Sequence, residues 1–89
     1  MNQLTKHRKE IELVDKKILA LLARRFTIAR QIGHYKKSGK LPVVDKKREG
    51  RLIALLKKKA QKHRISNTGI ELIWQEIIKE SYLHQHYGK

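Results

Sequence analysis

Stepping through the first part of the chain by alternating intervals of three and four residues picks out Arg8, Ile11, Asp15, Ile18, Leu22, Arg25, Ala29, Ile32 and Lys36. On a helix these positions form one face, and most of it is apolar, as a coiled-coil-like contact surface is. Three cations share that face. A cation on a buried stripe is costly to desolvate unless an anion meets it, so each calls for a partner. Farther along, Asp45, Arg48 and Glu49 stand one or two turns before Leu52, Leu55 and Leu56, while Ser81 and Gln85 continue the stripe of Trp74, Ile77 and Ile78. If the three faces converge, they build a pocket with surplus positive charge, neutral hydrogen-bonding groups and one or two carboxylates. Such a pocket suits a small polyanion. Each residue alone also has a plainer reading. An arginine at the edge of a core snorkels to water, Asp15 can pair with a lysine one turn away, and Asp45 can be a helix cap and nothing more.

The elements that must position these groups are helices. From about residue 4 to 37 the chain has no proline, few β-branched residues and a dense supply of Leu, Ala, Lys, Arg and Glu, which favours one long helix. Its length would be about 50 Å, and such a rod needs a partner. Gly33 lies inside it at a cost of about 1 kcal/mol relative to alanine, which the rest of the segment can absorb. The stretch Ser38 to Val44 breaks the pattern, with Gly39 as the stop and Pro42 imposing an extended approach. Asp45 then reads as the cap of a second helix over about 45–63. Ser66 and Asn67 are capping candidates for a third helix over about 67–85, with Glu71 in its first turn complementing the helix dipole. No strand pattern, repeat or low-complexity tract is visible. The pattern predicts an all-α chain, one domain over residues 1–89, with one long and two shorter helices.

Composition sets bounds on this. With 89 residues, 39% of them hydrophobic, the chain has little material for a private core. It has no cysteine, which excludes a disulfide framework or a thiolate metal site and fits a reducing compartment, so a cytoplasmic protein is expected. No apolar run approaches the roughly 20 residues of a spanning helix, and the N-terminus lacks the apolar region of a signal peptide. The chain therefore reads as soluble and unprocessed, without a membrane partner. Its 22 Lys and Arg against 8 Asp and Glu give a net charge of +14, which suggests a polyanion partner or a solvated basic surface. Of the five histidines, His84 and His86 are two apart and face different ways on a helix, and no metal site is expected. Trp74 reads as core.

Three segments carry a resemblance. His7-Arg8-Lys9-Glu10-Ile11, continuing through Val14-Asp15-Lys16-Lys17-Ile18 and Ala23-Arg24-Arg25 to Ala29 and Lys36, resembles the first helix of the all-α chorismate mutases. Pro42-Val43-Val44-Asp45-Lys46-Lys47-Arg48-Glu49 is similar to that family's Pro-Val-x-Asp-x-x-Arg-Glu signature, and Ile77-Ile78-Lys79-Glu80-Ser81-Tyr82-Leu83-His84-Gln85 to its C-terminal segment. The likeness covers nearly the whole chain. It implies an intertwined helical homodimer that rearranges chorismate to prephenate. Arg8 would cross to the partner's pocket, and Arg25 and Lys36 would hold substrate carboxylates. Lys36 and Gln85 would flank the ether oxygen of the breaking bond. Glu49 would accept the ring hydroxyl, Asp45 and Arg48 would shape that end, and Ser81 would assist at a carboxylate. A [3,3] rearrangement needs no nucleophile, proton shuttle, metal or other cofactor, and none is expected.

Two rivals remain. Isochorismate-pyruvate lyases resemble these mutases, but they do not keep the Asp-x-x-Arg-Glu set that stands here as Asp45, Arg48 and Glu49. A nucleic-acid-binding helical dimer is suggested by Lys57, Lys58, Lys59, Lys62, His63 and Arg64, since the site residues Arg8, Arg25, Lys36 and Arg48 absorb little of the positive charge. With five aromatics and no basic-aromatic interleaving, salt-sensitive binding without sequence preference is the most this predicts, and no specific nucleic acid.

Overall fold

A computed structural model describes residues 2–87. It contains three α-helices, α1 (Gln3–Ser38), α2 (Lys46–Ala60) and α3 (Asn67–Tyr87), with a short 3-10 turn (Gln61–His63) after α2. Among the described residues there is no strand, so the architecture is all-α with one long and two shorter helices.

Helix α1 starts where the Asn2 side chain accepts the Thr5 N–H at 2.8 Å, satisfying one of the donors that a helix start leaves free. It stops at Gly39 as expected, but without the left-handed turn that a terminating glycine commonly takes. Gly39 keeps a right-handed conformation (φ −85°) and donates to the Tyr35 carbonyl at 3.0 Å, and the left-handed residue is Lys40, with φ 57°. Leu41 then closes the end by donating to the Lys36 carbonyl at 2.7 Å.

Helix α2 is capped by Asp45, whose side chain accepts the Arg48 N–H at 3.0 Å. The helical pattern read from sequence ran to about residue 63, but the last turn tightens into 3-10 geometry after Ala60, and Arg64 takes the left-handed conformation (φ 57°) that ends it. Ser66 caps α3 by accepting the Gly69 N–H at 3.0 Å, and Asn67 is the first helical residue. Glu71 is not in the first turn as expected. It lies one residue past it and pairs with Lys57 Nζ at 3.0 Å, linking α3 to α2.

Helix α3 packs on the C-terminal half of α1, and α2 packs on α3. The buried core is small: Ala29, Ala60, Ile70 and Ile78, with Gly33 also buried in α1. Trp74 is only half-buried. Gly33 is more than a tolerated residue. A Cβ there would fall within the Gln85 backbone, 2.7 Å from its Cα, so the two helices touch backbone to backbone and only glycine fits. The other half of α1 is bare. Residues 2–21 are exposed throughout, including Leu4, Ile11, Leu13, Val14, Ile18, Leu19 and Leu21, on a molecule 56 Å long and 15 Å thin. No helix of the described residues is long and apolar enough to cross a membrane.

Candidate active site

Where the three helices meet, a cavity of about 310 Å³ is lined by Arg25, Lys36, Asp45, Arg48, Glu49, Ser81 and Gln85, seven of the eight residues singled out in the sequence. Ile28, Ala29, Ile32, Leu52, Ile78 and Tyr82 complete its wall. Arg25, Ala29, Ile32 and Lys36 reach it from one face of α1, and Ile78, Ser81, Tyr82 and Gln85 from one face of α3, as helical periodicity requires.

Arg25 Nη1 donates to the Ser81 hydroxyl, and the buried Ser81 Oγ donates in turn to the Ile77 carbonyl at 2.8 Å. The guanidinium is thus held on α3 with most of its donors uncommitted. Burial first, and the Arg48 charge second, push Arg25 below its ordinary value. An anion beside the guanidinium opposes both effects through its charge.

Lys36 Nζ donates to the Val43 carbonyl at 2.8 Å and to Gln85 Oε1 at 3.0 Å. Because Oε1 is taken, the Gln85 amide presents its NH₂ as donor, and the ammonium keeps a third N–H. Lys36 and Gln85 therefore form a paired donor site, one charged and one neutral. Its support is the Gly33 contact, which brings the Gln85 backbone against α1.

At the α2 end, Asp45 spends its side chain on the helix cap. The Glu49 side chain is only 19% exposed, and its Oε2 is buried without a hydrogen-bond partner; Lys46 Nζ lies 3.6 Å away, beyond hydrogen-bond distance. A buried carboxylate oxygen in that state is an acceptor for a donor brought from outside.

Two contributors were not found from sequence. Tyr82 lines the cavity, and its hydroxyl accepts the Asp45 N–H at 3.2 Å. Burial raises its phenol above the ordinary value, the Asp45 N–H opposes this, and the Glu49 and Asp45 carboxylates add to the rise. The signal was present, because Tyr82 stands four residues after Ile78 and three before Gln85 on the same stripe. The Val43 carbonyl has no side-chain signal at all. Arg8 is not brought to this cavity. It is exposed on the bare arm, about 25 Å along the helix from Arg25. Among the described residues, no group of three or more His, Cys, Asp or Glu is placed to hold a metal ion.

The sequence profile of chorismate mutase type II matches residues 7–86, nearly the whole chain. The chain belongs to the chorismate mutase type II family. Among its relatives, it is 32% identical over 80 residues to the T-protein of Enterobacter agglomerans, which covers 90% of this chain and 21% of that protein. It is 34% identical over 84 residues to the bifunctional chorismate mutase/prephenate dehydratase of Buchnera aphidicola subsp. Schizaphis graminum, covering 94% of this chain and 22% of the relative. The chorismate mutase of Methanocaldococcus jannaschii is 30% identical over 82 residues, which is 91% of this chain and 82% of that enzyme. The chain thus spans about a fifth of the length of the first two relatives and about four fifths of the third.

Proposed function

We propose that this chain is a chorismate mutase, an isomerase forming a single domain over residues 1–89, which converts chorismate to prephenate in aromatic amino acid biosynthesis as a homodimer. The observation that carries the reading is the Lys36–Gln85 donor pair in one cavity with the Glu49 carboxylate, whose Oε2 lacks a hydrogen-bond partner, and the two guanidiniums of Arg25 and Arg48. That set matches a substrate with two carboxylates, one ether oxygen and one ring hydroxyl.

In this mechanism Arg25 and Lys36 hold carboxylates and keep the dianion in the compact conformer that brings the reacting carbons together. Ser81 assists by holding Arg25. As the C–O bond breaks, negative charge gathers on the ether oxygen, where Lys36 and the Gln85 amide already stand as fixed donors. The Glu49 carboxylate accepts the ring hydroxyl, and Asp45 and Arg48 shape that end. The rearrangement is pericyclic, so the protein's part is restraint and electrostatics, with no covalent or proton-transfer step.

Charge balance supports a second copy of the chain. The cavity holds three cations, Arg25, Lys36 and Arg48, against the two carboxylates Asp45 and Glu49, which leaves a surplus of one for a substrate carrying two negative charges. Arg8, on an arm whose apolar residues are exposed, is the cation that a partner can supply while its arm covers those residues. The absence of cysteine fits the reducing cytoplasm as the setting.

The test is turnover of chorismate to prephenate by the purified chain, with isochorismate assayed in parallel. Prephenate formation is expected; failure to consume chorismate overturns the reading, and pyruvate release from isochorismate alone would make it a lyase.

A further inference from the structure

Tyr82 has no part in the steps above, yet it sits in the cavity wall between Ser81 and Gln85. Its hydroxyl oxygen is fixed by the Asp45 N–H at 3.2 Å, a backbone donor at the start of α2. Since that oxygen accepts, its own proton remains to be given. Glu49 lines the same cavity, and its negative charge adds to burial in raising the phenol. Glu49 is itself tied to the same point, donating its N–H to the Asp45 carbonyl at 3.1 Å. Its side chain has a competing attraction. Lys46 Nζ, on a side chain 84% exposed, lies 3.6 Å from Oε2 and draws the carboxylate toward solvent.

We propose that Tyr82 is a positioning residue for Glu49: its hydroxyl, anchored on the Asp45 N–H, donates to the Glu49 carboxylate and keeps that carboxylate at the cavity wall for a hydroxyl of the substrate. The proposal rests on the reading of Glu49 as the acceptor for the ring hydroxyl. Phenylalanine would keep the ring in the wall and release the carboxylate to Lys46, so Tyr82→Phe separates the hydroxyl's role from that of packing.

Two measurements test it. In steady-state kinetics, Tyr82→Phe lowers kcat/KM for chorismate about tenfold, the loss expected for one hydrogen bond to a charged group, with the melting temperature little changed. The same change made in a Glu49→Gln background costs little more than Glu49→Gln alone, because both act through one contact. Full additivity of the two losses, or an unchanged kcat/KM in Tyr82→Phe, overturns the proposal.

The second measurement needs no turnover. The Tyr82 phenol is isolated by subtracting the phenolate absorbance of Tyr82→Phe from that of the unaltered chain, with the same subtraction made in the Glu49→Gln background. It ionises at lower pH when Glu49 is glutamine, since a neutral amide no longer opposes the phenolate. An unmoved titration overturns the proposal even if chorismate is consumed. A moved titration in a chain that fails to consume chorismate supports the Tyr82–Glu49 contact and locates the failure in the assignment of substrate.

Discussion

The two halves of α1 are built from the same kinds of residue but differ in surroundings. The first, residues 3–21, is exposed on all sides, whereas the second carries Ala29 and Gly33 buried against α3 and turns Arg25 and Lys36 into the cavity. Helix propensity is similar along both, so it does not explain the contrast; what differs is whether another helix covers the apolar face. The packed half has its partner within the chain. The bare half exposes Leu4, Ile11, Leu13, Val14, Ile18, Leu19 and Leu21, together with Arg8 on the same seam as the site, and no other helix of the described residues covers it, which is what the proposed second copy would do.

The largest effect that can break this comparison joins the two halves directly. Arg25→Ala removes a cation from the packed half and Arg8→Ala one from the bare half, and if the chain pairs as proposed each variant should lose on the order of a hundredfold or more in kcat, in line with the removal of one preorganised donor. Mixed and allowed to exchange, the two variants form dimers in which one site keeps both arginines, and activity returns in part. If mixing restores nothing, the arm does not complete a neighbour's site, and its exposed face must have another occupant.

A smaller effect sharpens the packed half. By propensity alone, Gly33→Ala should stabilise α1 by about 1 kcal/mol. Because the added Cβ would meet the Gln85 backbone, the variant should instead be less stable by about 1–3 kcal/mol, as overpacked cores are, and Gln85 should be displaced from Lys36. Thermal unfolding reads the sign, and a higher melting temperature would mean that the helices do not pack this closely.

These cases also mark what was legible in the sequence. Arg25, Lys36, Ser81 and Gln85 could be aligned because spacing on a helix translates directly into direction, and each lies on an apolar stripe. Periodicity says which face a residue occupies but not how near another helix comes. Gly33 was therefore read as a tolerated cost, since its contact with Gln85 joins positions far apart in the chain. An aromatic such as Tyr82 on an apolar stripe reads as wall, and only the Asp45 N–H reveals its hydroxyl as an active group. Glu71 was assigned to the helix dipole from its closeness to Ser66 and Asn67, whereas Lys57, on a different helix, is its partner. Arg8 shares the seam of Arg25 and Lys36, and the rise of the helix alone sets it about 25 Å from Arg25.

The smallest effect asks whether the packed half is held by apolar contact or by charge. Lys57 and Glu71 form the ion pair that bridges α2 and α3, at 3.0 Å, but their side chains are 31% and 47% exposed. A pair that open to water gains little, because solvent screens the attraction and two long side chains lose freedom in making it. Lys57→Met keeps an aliphatic stem of similar length and should change stability by less than about 1 kcal/mol, with little dependence on salt. Denaturant unfolding at low and high salt measures both. A loss well above about 2 kcal/mol that vanishes in high salt would show the α2–α3 packing to depend on this charge pair. The α3 surface that covers the packed half of α1 would then itself be held in part by charge.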